Sequence, residues 1–261
     1  MNSPTTVTTA PLLFLDTNVM HFARLYLCFA QKHDLPPLGS SQQDPDEILE
    51  GTYRGRTRVF QNHVAGRKIV EYLRGRCESG ARVEFSPMSQ LELVCGLLRG
   101  RAVLDAADEG IPSRMWNRMD EDEILDRLRT DTYDEVQRDT GEIEDQFLAA
   151  GIILHETDPQ RTREIWSVSR RLLGLVFLDT SDCAVYASAL LAEADELLTA
   201  DVYFRGIVNR LANPAGIPDP ESKKRFEQAR ELLIKLISEA IAPEGFNDQH
   251  PYRLPTAPKK W

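Results

Sequence analysis

A chain of 261 residues with 42% hydrophobic and 8% aromatic residues has the composition of a globular protein and the length to bury a substantial core. Its formal charge of −10 comes from 31 Lys plus Arg against 41 Asp plus Glu. No apolar run approaches the ~20 residues of a membrane helix, the start MNSPTTVTTA lacks a basic leader region, and Cys28, Cys77, Cys95 and Cys183 have no zinc-type spacing, so the expectation is a cytoplasmic protein with free thiols and no membrane partner.

In chain order, PLLFL reads as a short buried strand ending in Asp16. Lys32 to Asp46 holds three prolines and reads as a loop, and VFQNHVAGRKIVEYLRG follows with helical spacing of its apolar residues. RVEFSP predicts a second strand stopped by Pro87, and SQLELVCGLLRG a helix opened by a Ser89–Glu92 capping box. Residues 105–145 have a helical composition. LGLVFLDTSD predicts a third strand, AVYASALLAEA a helix, and ELLTAD a fourth strand and turn. After the link PAGIPDP, Asp219 and Pro220 open an amphipathic helix through Ile241. The tail FNDQHPYRLPTAPKKW reads as irregular. Alternating strands and helices imply a mostly parallel α/β sheet covered on both faces, with its functional crevice at the carboxyl ends of the strands.

Charge is segregated. Gly51 to Arg82 carries eight basic residues against Glu71 and Glu78, a local +6. Asp105 to Asp145 carries fifteen acidic residues against five arginines, a local −10. A basic surface that includes Arg54, Arg56, Arg58, Arg67 and Lys68 could track a phosphate backbone, with Tyr53, Phe60 and Tyr72 available to stack on bases. The acidic segment could shield that surface, mimic nucleic acid or form an oligomer contact.

The carboxylates at the strand ends carry the chemistry. Asp16 follows LLFL, Glu92 is expected in the first helical turn after VEF and Asp182 in the first turn after LVFL, and Asp201 follows ELLT. Each has an ordinary explanation as a cap or turn residue. Together they place uncompensated carboxylates at one sheet edge, where without a cation one or more would be forced to take up a proton. Oxygen donors without His or Cys point to Mg²⁺ or Mn²⁺ rather than zinc. Such a centre suits phosphodiester hydrolysis by metal-activated water, and no side chain stands out as a protein nucleophile.

FLDTNVM, SQLELVCGL and DTSDCAVYASALLAEADELLTADVYF resemble the signature of the PIN-domain ribonucleases, which include the toxin nucleases of bacterial toxin–antitoxin pairs. The third block is the most specific, with Asp182, Ala187, Ala189, Thr199, Asp201 and Phe204 in the family's order. The resemblance implies a three-layer α/β fold and a metal-dependent endoribonuclease, a toxin or defence nuclease in role. Asp16, Glu92, Asp182 and Asp201 would hold Mg²⁺ or Mn²⁺, with Asn18 and Thr199 orienting carboxylates or water. RNA is the implied substrate and an inhibitory antitoxin-like protein an implied partner; a homodimer is the expected assembly. Residues 1–213 would form the nuclease domain, with insertions at about 29–81 and 105–165, and 214–261 a helical extension.

Other readings fit less well. A haloacid-dehalogenase-like phosphatase needs a second acid where Asn18 stands, a response-regulator-like domain needs an acidic pair and a strand-end Lys, and a dinucleotide-binding domain needs a glycine-rich first turn. A non-catalytic PIN-like module that binds RNA or protein, and a DNA structure-specific nuclease, are the remaining alternatives. The first is disfavoured because all four acids are present.

Overall fold

The computed structural model describes residues 10–35, 45–55, 57–111, 115, 130–176, 178–241 and 253–258. Its sheet has four parallel strands: β1 (Leu12–Leu15), β2 (Arg82–Phe85), β3 (Leu154–Glu156) and β4 (Glu196–Leu198), in the order β3-β2-β1-β4. Parallel neighbours need long crossovers, and helices supply them: α1 (Thr17–Lys32), α2 (Pro45–Thr52) and α3 (Thr57–Glu78) between β1 and β2, and α4 (Pro87–Asp108) and α5 (Thr130–Ala149) between β2 and β3. α6 (Thr162–Leu175) and α7 (Thr180–Leu191) then lead to β4, followed by α8 (Val202–Ala212) and α9 (Pro220–Ile241).

Alternation along the strands divides the interior in two. Leu13, Leu15, Val83, Phe85 and Leu198 enter a core with α1, α3, α4 and α5, while Phe14 and Leu197 enter one with α6 to α9. The result is an α/β architecture in which the sheet is buried on both faces, as an all-parallel sheet requires. Parts of both expected insertions belong to this framework: Ile69, Val70 and Leu73 of α3 are core residues, and residues 154–156 form an outer strand. Gly66 lets α3 approach α1, for a Cβ there would lie 2.0 Å from the Phe22 carbonyl oxygen.

The predicted third strand is corrected. Leu175 ends α6 and Val176 is extended, but neither Val176 nor Leu178 is in a strand, and Phe177 lies outside the described residues. Val176 and Leu178 are buried because they pack with Leu172 and α7 in the core, not because they join the sheet. The capping box is corrected too: Ser86, not Ser89, precedes α4, its Oγ accepts from the Met88 N–H at 3.0 Å, and Glu92 stands in the second turn.

At the other end, Asp219 caps α9 as expected, accepting from the Ser222 N–H at 2.8 Å, and Ala229, Leu233 and Ile237 bury the helix on the protein's own core. The tail is less irregular than its prolines suggest. The Leu197 N–H donates to the Thr256 carbonyl at 2.8 Å and the Thr256 N–H to the Asp195 carbonyl at 3.1 Å, so this segment lies along the outer edge of β4. Asn209 holds it, donating to the Ala257 carbonyl and accepting from its N–H, each at 2.9 Å. Most of the acidic segment between 112 and 129 lies outside the described residues. No helix among the described residues is long and apolar enough to cross a membrane.

Candidate active site

The chain builds β1, β2 and β3 in one direction and then returns to place β4 on the far side of β1. The strand order therefore reverses between β1 and β4, and in open parallel sheets the crevice forms at the carboxyl ends of such a pair. Asp16 is the residue after β1, and Thr199 is the residue after β4.

Asp16 is 3% exposed and heavily bonded. It caps α1, with Oδ1 accepting from the Thr17 N–H at 2.7 Å. Its Oδ2 accepts from Asn18 Nδ2 and from the Thr199 hydroxyl, both at 2.6 Å. Asn18 also accepts from the Ala200 N–H at 2.7 Å, which ties the start of α1 to the end of β4. The expected roles of Asn18 and Thr199 as groups that orient a carboxylate thus correspond to direct hydrogen bonds. Burial raises the Asp16 carboxyl to about 6, with the nearby charge of Glu92 adding to the rise, against the hydrogen bonds from Thr199, Thr17 and Asn18 that favour the ionised form.

The other carboxylates approach from separate helices. Glu92 of α4 accepts from the Thr17 hydroxyl, so a side chain between Asp16 and Asn18 reaches across to an acid 75 residues away. Asp182 lies in the first turn of α7, where Asp179 caps the helix by accepting from the Asp182 N–H at 2.8 Å. Asp201 caps α8 through Oδ1, which accepts from the Tyr203 and Phe204 N–H groups at 2.6 and 3.0 Å, and it is exposed. Burial and then the charges of Asp179, Asp16, Asp201 and Glu92 push the Asp182 carboxyl up to about 8. All four sequence-identified acids therefore share one electrostatic neighbourhood.

Two contributors were not apparent in the sequence. Thr17, to which the sequence assigns no role, has a contact with Glu92 that spans 75 residues. Asp179 caps α7 and is also the charge that weighs most on Asp182. Asp195, by contrast, sits at the opposite end of the sheet, accepting from the Leu12 N–H at 2.8 Å. Cys183, beside Asp182, is buried and its thiol is pushed up to about 12, so it offers no thiolate nucleophile near neutrality.

Among the described residues, no three His, Cys, Asp or Glu side chains are grouped closely enough to hold a metal ion in their present rotamers. The donor set still fits a hard divalent cation in kind and charge: it is all oxygen, and the neighbouring carboxylates add to the raised proton affinity of Asp16 and Asp182, which a cation would relieve. Asp16, Asp182, Glu92 and Asp201 are the residues that would hold it.

None of the ion pairs described for the basic segment involves these acids. Arg54 and Lys68 are exposed, Arg67 pairs with Glu71 at 3.4 Å, Arg56 lies outside the described residues, and so does the side chain of Arg58. Arg74, Arg76 and Arg82 pair with Glu78, Glu196 and Glu84. The aromatics expected to stack on bases are engaged in packing. Tyr53 meets His63 and Phe29, Phe60 is half-buried against the core, and the Tyr72 hydroxyl donates to Glu196 at 2.5 Å.

Comparison with protein-family models, curated proteins and solved structures yields no significant match.

Proposed function

We propose that the chain is a metal-dependent endoribonuclease of PIN type that hydrolyses RNA phosphodiester bonds with Mg²⁺ or Mn²⁺. The observation that carries this reading is the arrangement around Asp16. A carboxylate buried at the strand-order reversal is held in one orientation by Thr199, Asn18 and Thr17, within electrostatic reach of Glu92, Asp182 and Asp201. A fold gains nothing in stability from gathering like charges there, so the arrangement makes sense as a binding centre for a cation and a phosphate.

A bound divalent cation would activate water and stabilise the departing oxygen in phosphodiester hydrolysis. The protein's own contribution is positional. Thr199 and Asn18 fix the Asp16 carboxylate and favour its ionised state, Thr17 aims Glu92, and Asp179 positions the turn that presents Asp182. Without a cation, Asp182 holds a proton near neutrality. A toxin or defence role, an inhibitory protein partner and a homodimer belong to the same reading and rest on the motif resemblance.

The test is cleavage of end-labelled single-stranded RNA and DNA with Mn²⁺, Mg²⁺ or EDTA, with Asp16→Asn purified in parallel. The expected result is metal-dependent cleavage of RNA that falls at least a hundredfold in the variant, as loss of a carboxylate that orients the reacting groups would produce. Equal cleavage by the two proteins, or none by either, overturns the catalytic reading and favours a binding module. Preferential cleavage of DNA redirects the substrate assignment.

A further inference from the structure

We infer that Tyr203 is a nucleobase platform at the edge of the acidic site, so that the substrate enters as an unpaired, single-stranded segment. The inference rests on the nuclease reading for its substrate class, and on separate observations for its location.

Single exposed aromatic side chains are ordinary on protein surfaces, so what singles out Tyr203 is its place beside a site carboxylate. Tyr203 is 54% exposed, and beside it Val202 is 72% exposed. The other exposed aromatic among the described residues, Trp166, belongs to α6 and to none of the site's contacts. The backbone under Tyr203 is fixed, because its N–H donates to the Asp201 carboxylate at 2.6 Å. The next residue, Phe204, points inward, fully buried and edge-on to Tyr186 with ring centroids 6.2 Å apart. The first turn of α8 is thus anchored on both sides, and it presents the Tyr203 ring outward on a rigid base two residues from a site carboxylate.

Electrostatics explains why such a platform would be needed. The site is a concentration of carboxylates that repels phosphates, and most described arginines of the basic segment are already paired with Glu residues. Stacking on a base face is indifferent to that charge. A base inside a duplex has both faces covered by its neighbours, so a single exposed ring selects unpaired nucleotides. The three aromatics that might have served from the basic segment are half-buried in packing instead.

The test uses the full chain and a fluorescein-labelled single-stranded RNA of mixed sequence, the same strand annealed to its complement, and the DNA equivalent. Binding is read by anisotropy in EDTA, where cleavage cannot occur, and kcat and KM are then measured with Mn²⁺. Tyr203→Ala is expected to weaken single-strand binding roughly tenfold, the effect of losing one stacked base. It should raise KM more than it lowers kcat and leave duplex binding unchanged. Tyr203→Phe should retain binding within about twofold, since the ring face carries the interaction. Because the side chain is exposed, an unchanged melting temperature will confirm that the Ala variant is folded. Wild-type affinity in Tyr203→Ala, or an equal loss on single strand and duplex, overturns the platform. Tyr203-dependent binding without metal-stimulated cleavage by the wild type supports the platform and rejects the nuclease. Cleavage that ignores Tyr203 does the reverse, and no binding of single strands by the wild type overturns both.

Discussion

Asp182 is a carboxyl whose surroundings favour its neutral form, and that has a measurable consequence for stability. Its folded-state value of about 8 lies far above its ordinary 3.8, so between those limits the folded protein binds more protons than the unfolded chain. The stability this contributes is complete below about pH 4 and is lost as pH rises through about 8. Asp16, raised to about 6, adds in the same direction. Replacing Asp182 with Asn removes the charge that must be buried. The expected outcome is a variant indistinguishable from wild type near pH 4 and more stable at pH 8 by about 1–2 kcal/mol, after allowance for solvent screening of a half-exposed group. That corresponds to a melting temperature higher by roughly 2–8 °C in a chain of this size. With Mn²⁺ present, the wild type should gain most at pH 8, where the carboxylates are ionised, and Asp182→Asn should gain less. Asp16 and Asp201 are legible as residues that follow apolar strands and Asp182 as one in the first turn of a helix, whereas Glu92, expected in a first turn, stands in the second. The contact of Thr17 with Glu92 could not be read from the sequence, since it depends on which way helices from distant segments point.

Secondary-structure elements were legible where pattern and packing agreed. LLFL, RVEF and ELL are strands as expected, and α3, α4, α7 and α9 follow their apolar spacing, whereas α1 is not among the expected elements. The run LVFL misled because an apolar tetrapeptide satisfies either burial in a sheet or burial under a helix pair, and here α6 and α7 supply the second. The true third strand, LHE, escaped notice because it is short, half polar and at the sheet edge. Contact between α1 and α3 depends on Gly66, a residue whose role only the crossing reveals. A Cβ there would meet not only the Phe22 carbonyl but also the Tyr26 Cβ at 3.0 Å. Gly66→Ala must therefore push the helices apart despite its gain in helix propensity. Destabilisation of about 2–3 kcal/mol is expected, visible as a lower urea midpoint with little change in slope. A neutral or stabilising result would mean that the crossing is looser than described. Because Asp16 caps α1, the same variant should, on the proposed nuclease reading, also slow cleavage.

At the scale of the whole molecule, the C-terminal segment acts as an outer rim of the sheet. Thr256 occupies the edge of β4, and Leu254 and Ala257 are buried. Covering an edge in this way hides the backbone groups through which exposed strands associate. Asn209→Ala removes both hydrogen bonds to Ala257 and should cost about 1–2 kcal/mol. Amide exchange at Leu197 and Ala257 should accelerate well beyond the global change, while Leu13 and Phe14 in the central strand remain protected. Uniform acceleration would show instead that the segment unfolds only with the entire protein. Neither proline content nor charge betrays this role, for the pairing requires a strand 60 residues upstream as its template.

The same topology sets a timetable for the site. β1 is the first strand made, yet the hydroxyl that anchors Asp16 comes from Thr199, 183 residues later. At ordinary rates of translation the Asp16 carboxylate waits roughly 10–40 seconds for its partner to be synthesised. Every shorter nascent chain has the acid without its orienting hydroxyl, and lacks Asp201 as well. Whatever this centre binds, a ribosome making the protein is not exposed to the assembled site until β4 has emerged.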